Sequence, residues 1–272
     1  MRNTAKITTA VLAAGALTLG LSACGAGGSG TDGPLIVAAS PVPHAEILTY
    51  VKDNLAKKEG LDLEVREFTD YTTQNPATQD GSVGANYFQN KPYLDDYNKK
   101  NGTDIVPVVT VHLEPLGLYS HKAEKPEDLK SGATVAVPND TVNEARALKL
   151  LAAHGLITLK DGVGNEATPS DITKNPKNLK FKELEAAQTP RSLDDVDAAV
   201  VNGNYAIESD LKPSEDALIL ESPKDNPYGN FLAVKKGNED DPRVKKLAKL
   251  LTSPEVEKFI RDKYAGSVLA SF

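Results

Sequence analysis

Residues 35–40, Leu-Ile-Val-Ala-Ala-Ser, form an apolar run that Pro41 and Pro43 stop, and its length predicts a buried strand. From 44 to 58 the apolar positions Ile47, Leu48, Val51 and Leu55 take helical spacing, and Gly60 follows as a stop. Leu61, Leu63 and Val65 then alternate with Asp62, Glu64 and Arg66, the signature of a strand with one wetter face. Strand, helix and strand at these lengths predict a βαβ unit and a parallel sheet. Further strands are expected at 104–111, 117–120, 134–137, 179–184, 197–201, 217–220 and 231–234. Asn139, Asp140 and Thr141 offer N-caps for a helix running to Ala153. Asp241-Pro242 opens a helix with Val244, Leu247, Leu250 and Leu251 on one face, and Ser253-Pro254 opens another. Breaks rich in Pro and Asn near 115 and at 223–227 suggest hinge strands between two α/β lobes, with the C-terminus returning to the first.

The N-terminal pattern differs. Arg2 and Lys6 precede an apolar stretch at 7–21, and Ser22-Ala23 lead to Cys24, the only cysteine. About 15 apolar residues fall short of the roughly 20 that span a bilayer as a helix, so the stretch reads as a secretory signal. Leu21-Ser22-Ala23-Cys24 resembles a bacterial lipobox, which implies cleavage before Cys24 and lipid on that cysteine. The Gly-, Ser- and Thr-rich residues 25–33 read as a flexible tether. The expected organisation is therefore a signal peptide at 1–23, a lipidated tether at 24–33, one lobe from 34–115 and 226–272, and a second from 116–225. The mature chain would be extracytoplasmic and anchored to the cell membrane through Cys24.

The 31 Lys and Arg include Arg2 and Lys6, leaving 29 against 38 acidic residues after Cys24, which argues against nucleic acid as a partner. With Cys24 committed to the anchor, no cysteine remains for a disulfide or a nucleophile. His44, His112, His121 and His154 form neither H-x-x-x-H nor H-E-x-x-H, so their spacing points to no zinc site. There is no P-loop and no G-x-S-x-G elbow. No catalytic set and no cofactor are expected.

A binding constellation fits better. Tyr71, Tyr87, Phe88 and Tyr93 concentrate in a chain with only 6% aromatics, and such a cluster with polar tips suits an apolar ligand side chain or an ordinary core patch. Asn90 and Tyr93 flank Lys91-Pro92 at a helix start. Asn143 and Arg146 share a face of the next helix, where a guanidinium beside N-terminal amides would suit a carboxylate. Asn202 ends one strand and Asn230 begins another, the positions that face the crevice of an open α/β sheet.

Ala85-Asn86-Tyr87-Phe88-Gln89-Asn90-Lys91-Pro92-Tyr93-Leu94, Glu114-Pro115-Leu116-Gly117-Leu118-Tyr119-Ser120, Glu183-Leu184-Glu185-Ala186-Ala187-Gln188 and Asn226-Pro227-Tyr228-Gly229-Asn230 occur in an order and spacing that resemble the methionine-binding lipoproteins of ABC importers, the NLPA lipoprotein family. The resemblance covers nearly the whole mature chain. It implies a two-lobed type II periplasmic binding fold closing on an amino acid, acting as a monomer with an ABC permease and its ATPase. It also implies that Tyr71, Phe88 and Tyr93 hold the ligand side chain and that Arg146 pairs with its carboxylate. Asn202 and Asn230 would orient ammonium and carboxylate, and Asn143 would support Arg146. The family usually has His at Asn90, Asp at Gly84 and Pro at Thr141. The carboxylate grip is thus intact while one wall of the side-chain pocket is altered. Methionine, L or D, is the expected ligand, and a different amino acid or a short methionine-containing peptide stays open.

Overall fold

The computed structural model describes residues 33–272; the signal segment, Cys24 and the tether through residue 32 lie outside the described residues. The chain opens with β1 (Leu35–Ala39), turns at Pro41–Ala45 into α1 (Glu46–Asn54), and returns in β2 (Leu63–Glu67). β2 runs parallel to β1 with Leu35 opposite Leu63, the expected βαβ unit. The helix is shorter than its apolar spacing suggests. Leu55 leaves the helical region, a 3-10 turn carries Ala56–Glu59, and Gly60 at φ 60° ends the segment.

Next come α2 (Gln74–Asp80), β3 (Ala85–Asn90), α3 (Lys91–Asn101) and β4 (Ile105–Leu113). The chain then crosses to β5 (Gly117–Tyr119), β6 (Thr134–Pro138), α4 (Thr141–Ala153) and a small hairpin of β7 (Thr158–Leu159) and β8 (Ile172–Lys174). β9 (Lys180–Leu184), β10 (Ala198–Val201), α5 (Gly203–Glu208), α6 (Pro213–Asp216) and β11 (Ile219–Leu220) follow. After a second crossing, β12 (Asn230–Lys235), α7 (Pro242–Leu251), α8 (Pro254–Tyr264) and β13 (Leu269–Ala270) complete the fold.

One sheet has the order β13-β4-β12-β3-β1-β2, the other β11-β5-β10-β6-β9. Both therefore repeat one plan, and both are mixed rather than purely parallel. β1, β2 and β3 are parallel, as are β6, β9 and β10. Each crossing delivers one antiparallel strand into the interior of a sheet: β5 beside β10, and β12 between β3 and β4. A strand that arrives from the other sheet enters from the opposite end, so it must run against its neighbours. This interchange gives two lobes joined by two crossings.

Each sheet has its own core. Val37, Ile47, Leu48, Leu247 and Ile260 pack in the first, and Val135, Leu148, Leu151 and Val200 in the second. Val244, Leu247, Leu250 and Leu251 of α7 are all buried on the predicted face; each contributes roughly 1.5–3 kcal/mol. β3 is less obvious from its sequence because Asn86, Gln89 and Asn90 interrupt it, yet all six residues are buried. Asn75 and Thr78 of α2 satisfy two of these amides: Asn75 exchanges hydrogen bonds with Gln89 at 2.9 and 2.7 Å, and Asn86 donates to Thr78 at 2.7 Å. Among the described residues no helix is long and apolar enough to cross a membrane.

Candidate functional site

All eight residues singled out for ligand contact line one cavity of about 360 Å³ between the two sheets: Tyr71, Phe88, Asn90, Tyr93, Asn143, Arg146, Asn202 and Asn230. The first lobe supplies the aromatic wall. Phe88 projects from β3, Tyr93 from the first turn of α3, and Tyr71 from the loop before α2. Ring centroids lie 5.9 Å apart for Tyr71–Phe88 and Phe88–Tyr93, and 6.0 Å for Tyr71–Tyr93. Asn90 caps α3 by accepting from the Tyr93 backbone N–H at 3.1 Å, which fixes that ring's starting point.

The second lobe supplies most of the polar wall. Arg146 is held on three sides. Its Nε and one terminal nitrogen donate to the Glu221 carboxylate at 2.9 and 2.5 Å, that same nitrogen reaches the Glu114 carbonyl at 3.0 Å, and the guanidinium lies 4.1 Å from the Tyr228 ring centroid. Burial would raise the Glu221 carboxyl, but the Arg146 guanidinium holds it below the usual range. The other terminal nitrogen of Arg146 makes no hydrogen bond among the described residues and remains for a bound group.

The family resemblance implies that Asn143 supports Arg146; among the described residues the two side chains share no hydrogen bond. The Asn143 amide donates to Asp140 and accepts from Asn202 Nδ2 at 3.0 Å. The two residues are three apart on one helix, and the guanidinium's hydrogen bonds go to the Glu221 carboxylate and the Glu114 carbonyl instead. Asn143 turns instead toward the helix cap.

Gln89, Glu114, Gly203 and Asn204 complete the cavity and carry no local sequence signal. Glu114 is buried, which pushes its carboxyl up against the pull of His44 and Arg146. Behind it lies a relay of buried side chains. His112 Nε2 donates to Glu114 at 2.7 Å, while the Tyr87 hydroxyl bonds His112 Nδ1. His44 Nε2 lies 3.1 Å from Asn230 Oδ1 and 3.3 Å from Glu114. Burial depresses His44 to about 4 and His112 to about 3, so both are neutral near pH 7. With His44 donating, Asn230 uses its oxygen and keeps its Nδ2 for the cavity. His44, His112 and Glu114 are also the one group among the described residues whose potential metal-ligating atoms converge, all within 4.8 Å. Sequence spacing could not show this, because the fold brings the two histidines together from β4 and the turn after β1. His112 Nδ1 and Nε2 and His44 Nε2 already have partners inside the relay.

The cavity therefore places acceptors, Glu114 and Asn202 Oδ1, against donors from Arg146 and Asn230, with an aromatic slot alongside. That arrangement complements a zwitterion with an apolar side chain. A family model described as NlpA lipoprotein matches residues 35–272. The chain belongs to the NlpA lipoprotein family. It is 42% identical to the methionine-binding lipoprotein MetQ of Bacillus subtilis over 256 residues, 92% of this chain and 93% of that one. A nutrient binding protein from Burkholderia cenocepacia, solved bound to methionine, superposes with a TM-score of 0.85 at 46% identity, covering 88% of this chain and 100% of that one. An ABC transporter periplasmic substrate-binding protein from Coxiella burnetii gives 0.83 at 42% identity, with 87% and 100% coverage. The NlpA chain described here thus has the two-lobed substrate-binding fold.

Proposed function

We propose that this NlpA lipoprotein binds methionine between its lobes and delivers it to an ABC permease driven by its ATPase. The observation that carries the reading is the convergence of the aromatic triangle, Arg146, Glu114 and the asparagines on one cavity. The ammonium would lie against Glu114 and Asn202, the carboxylate against Arg146 and Asn230, and the side chain among Tyr71, Phe88 and Tyr93. The first lobe would comprise 34–115 and 226–272, the second 116–225, and the receptor would act as a monomer tethered by lipid on Cys24. It performs no bond chemistry. Closure is favoured only as far as the ligand contacts both lobes at once, and Tyr71, donating to Asn204 across the cleft, already links them.

Calorimetry of the mature protein against L- and D-methionine, the other amino acids and methionine dipeptides tests the reading. Tight binding of methionine with at least tenfold preference supports it, and indifference to all of them overturns it. A second reading, a short methionine-containing peptide, draws on an adjoining cavity of about 420 Å³ that shares Tyr71 and Tyr93 with the first and reaches Asp140 and Glu185. Dipeptide binding tighter than methionine would favour it.

Gly203 offers a sharper check on Glu114. A Cβ at this position would stand 2.7 Å from Glu114 Cβ and 3.0 Å from Oε2, too close to be tolerated. Gly203→Ala should displace Glu114 and weaken methionine binding about tenfold, from loss of a charge-assisted contact of roughly 1.5 kcal/mol. Unchanged affinity by calorimetry would remove Glu114 from the ammonium site.

A further inference from the structure

Asp140 does more than cap a helix. Its Oδ1 accepts the Asn143 backbone N–H at 3.0 Å, the ordinary N-cap bond of α4. It also takes the Asn143 side-chain Nδ2, at 3.0 Å to Oδ1 and 2.9 Å to Oδ2. An ionised carboxylate accepts and never donates. The Asn143 amide must therefore turn its nitrogen to Asp140 and its oxygen away, where that oxygen accepts from Asn202 Nδ2 at 3.0 Å. Asn202 is fixed in turn. One of its N–H groups is committed to Asn143, and its Oδ1 is left buried and unpaired in the cavity wall.

An amide is nearly the same shape in either orientation, so only its hydrogen-bond partners decide which end faces where. We propose that Asp140 is a positioning residue for specificity: through Asn143 it holds the acceptor end of Asn202 toward the ligand, so that this corner selects an ammonium group. The inference rests on the reading of the cavity as an amino-acid site. Asp140 itself is not among the residues lining that cavity. Its effect on selectivity passes through two amides, and a serine or threonine cap could supply the helix bond without imposing the orientation.

The test compares L-methionine with 4-(methylsulfanyl)butanoate, which has the same chain and carboxylate but no ammonium. Both are titrated calorimetrically into the mature protein and into Asp140→Asn. The variant keeps a capping oxygen, but its NH2 can donate to Asn143, so both amides are free to reverse. The preference for methionine over the des-amino analogue should fall at least tenfold, mostly through loss of methionine affinity, with the thermal midpoint nearly unchanged. Asp140→Ser, which also keeps a cap, should give the same loss and serves if the first variant folds poorly. An unchanged preference, or equal weakening for both ligands, would make Asp140 a cap alone and overturn the proposal. Wild-type protein that binds neither compound would instead overturn the amino-acid reading on which it rests.

Discussion

Arg146→Ala is expected to reduce methionine binding by roughly a hundredfold to ten-thousandfold, the range that corresponds to 3–5 kcal/mol for stranding one member of a buried ion pair. Arg146 is 4% exposed, and its guanidinium is engaged along one edge by Glu221. It thus presents a rigid, preoriented nitrogen to the cavity, and little entropy is lost when a carboxylate arrives. Truncation removes that donor and also leaves the Glu221 carboxylate beside the site with no counter-charge, so a bound carboxylate would meet repulsion. Arg146→Lys separates the two effects. It restores a positive charge but cannot bridge Glu221 bidentately and reach the Glu114 carbonyl at the same time. It should recover only part of the affinity. Calorimetry on variants shown to be folded by circular dichroism decides the matter. Arg146→Ala binding within tenfold of wild type would remove Arg146 from the carboxylate site.

Arg146 also shows how far the sequence could be read. Its helix, the cap and the face it shares with Asn143 follow from local spacing. Its principal partner, Glu221, lies 75 residues away and is brought in by the second crossing. The same holds for the relay behind the site, where His44 meets Asn230 across 186 residues. Strands built from apolar runs were legible because their burial is written in composition. β3 was not, because its polar Asn86 and Gln89 are satisfied by Asn75 and Thr78 of α2. Hydrophobic periodicity records which faces are buried, but not which buried polar groups find each other. The aromatic triangle was legible for the opposite reason: Phe88 and Tyr93 are neighbours in sequence, and Tyr71 precedes them by one helix.

His112 should make the protein acid-sensitive in a way one substitution can isolate. Burial lowers its pKa from 6.5 to about 3, so between those values the unfolded chain binds a proton that the folded chain refuses. Stability from this group is therefore complete above pH 6.5 and is lost as pH falls toward 3, at about 1.4 kcal/mol per pH unit. His44, lowered to about 4, acts with the same sign over a narrower window. Glu144 acts oppositely: burial raises it to about 7, so its folded form takes up a proton first and offsets the histidines above pH 4.5. Glu114, also raised by burial, adds to that offset. The raw pH profile of the wild type would thus be shallow in this range and uninformative. The difference between wild type and His112→Gln cancels the common groups. Glutamine can still bond Tyr87 and Glu114 but does not titrate. The variant should be less stable at pH 7.5, through imperfect packing at a fully buried site, and should gain on the wild type steadily as pH falls from 6 to 4. Urea unfolding at four pH values measures this, and a constant difference across the series would mean that His112 is not held neutral by burial.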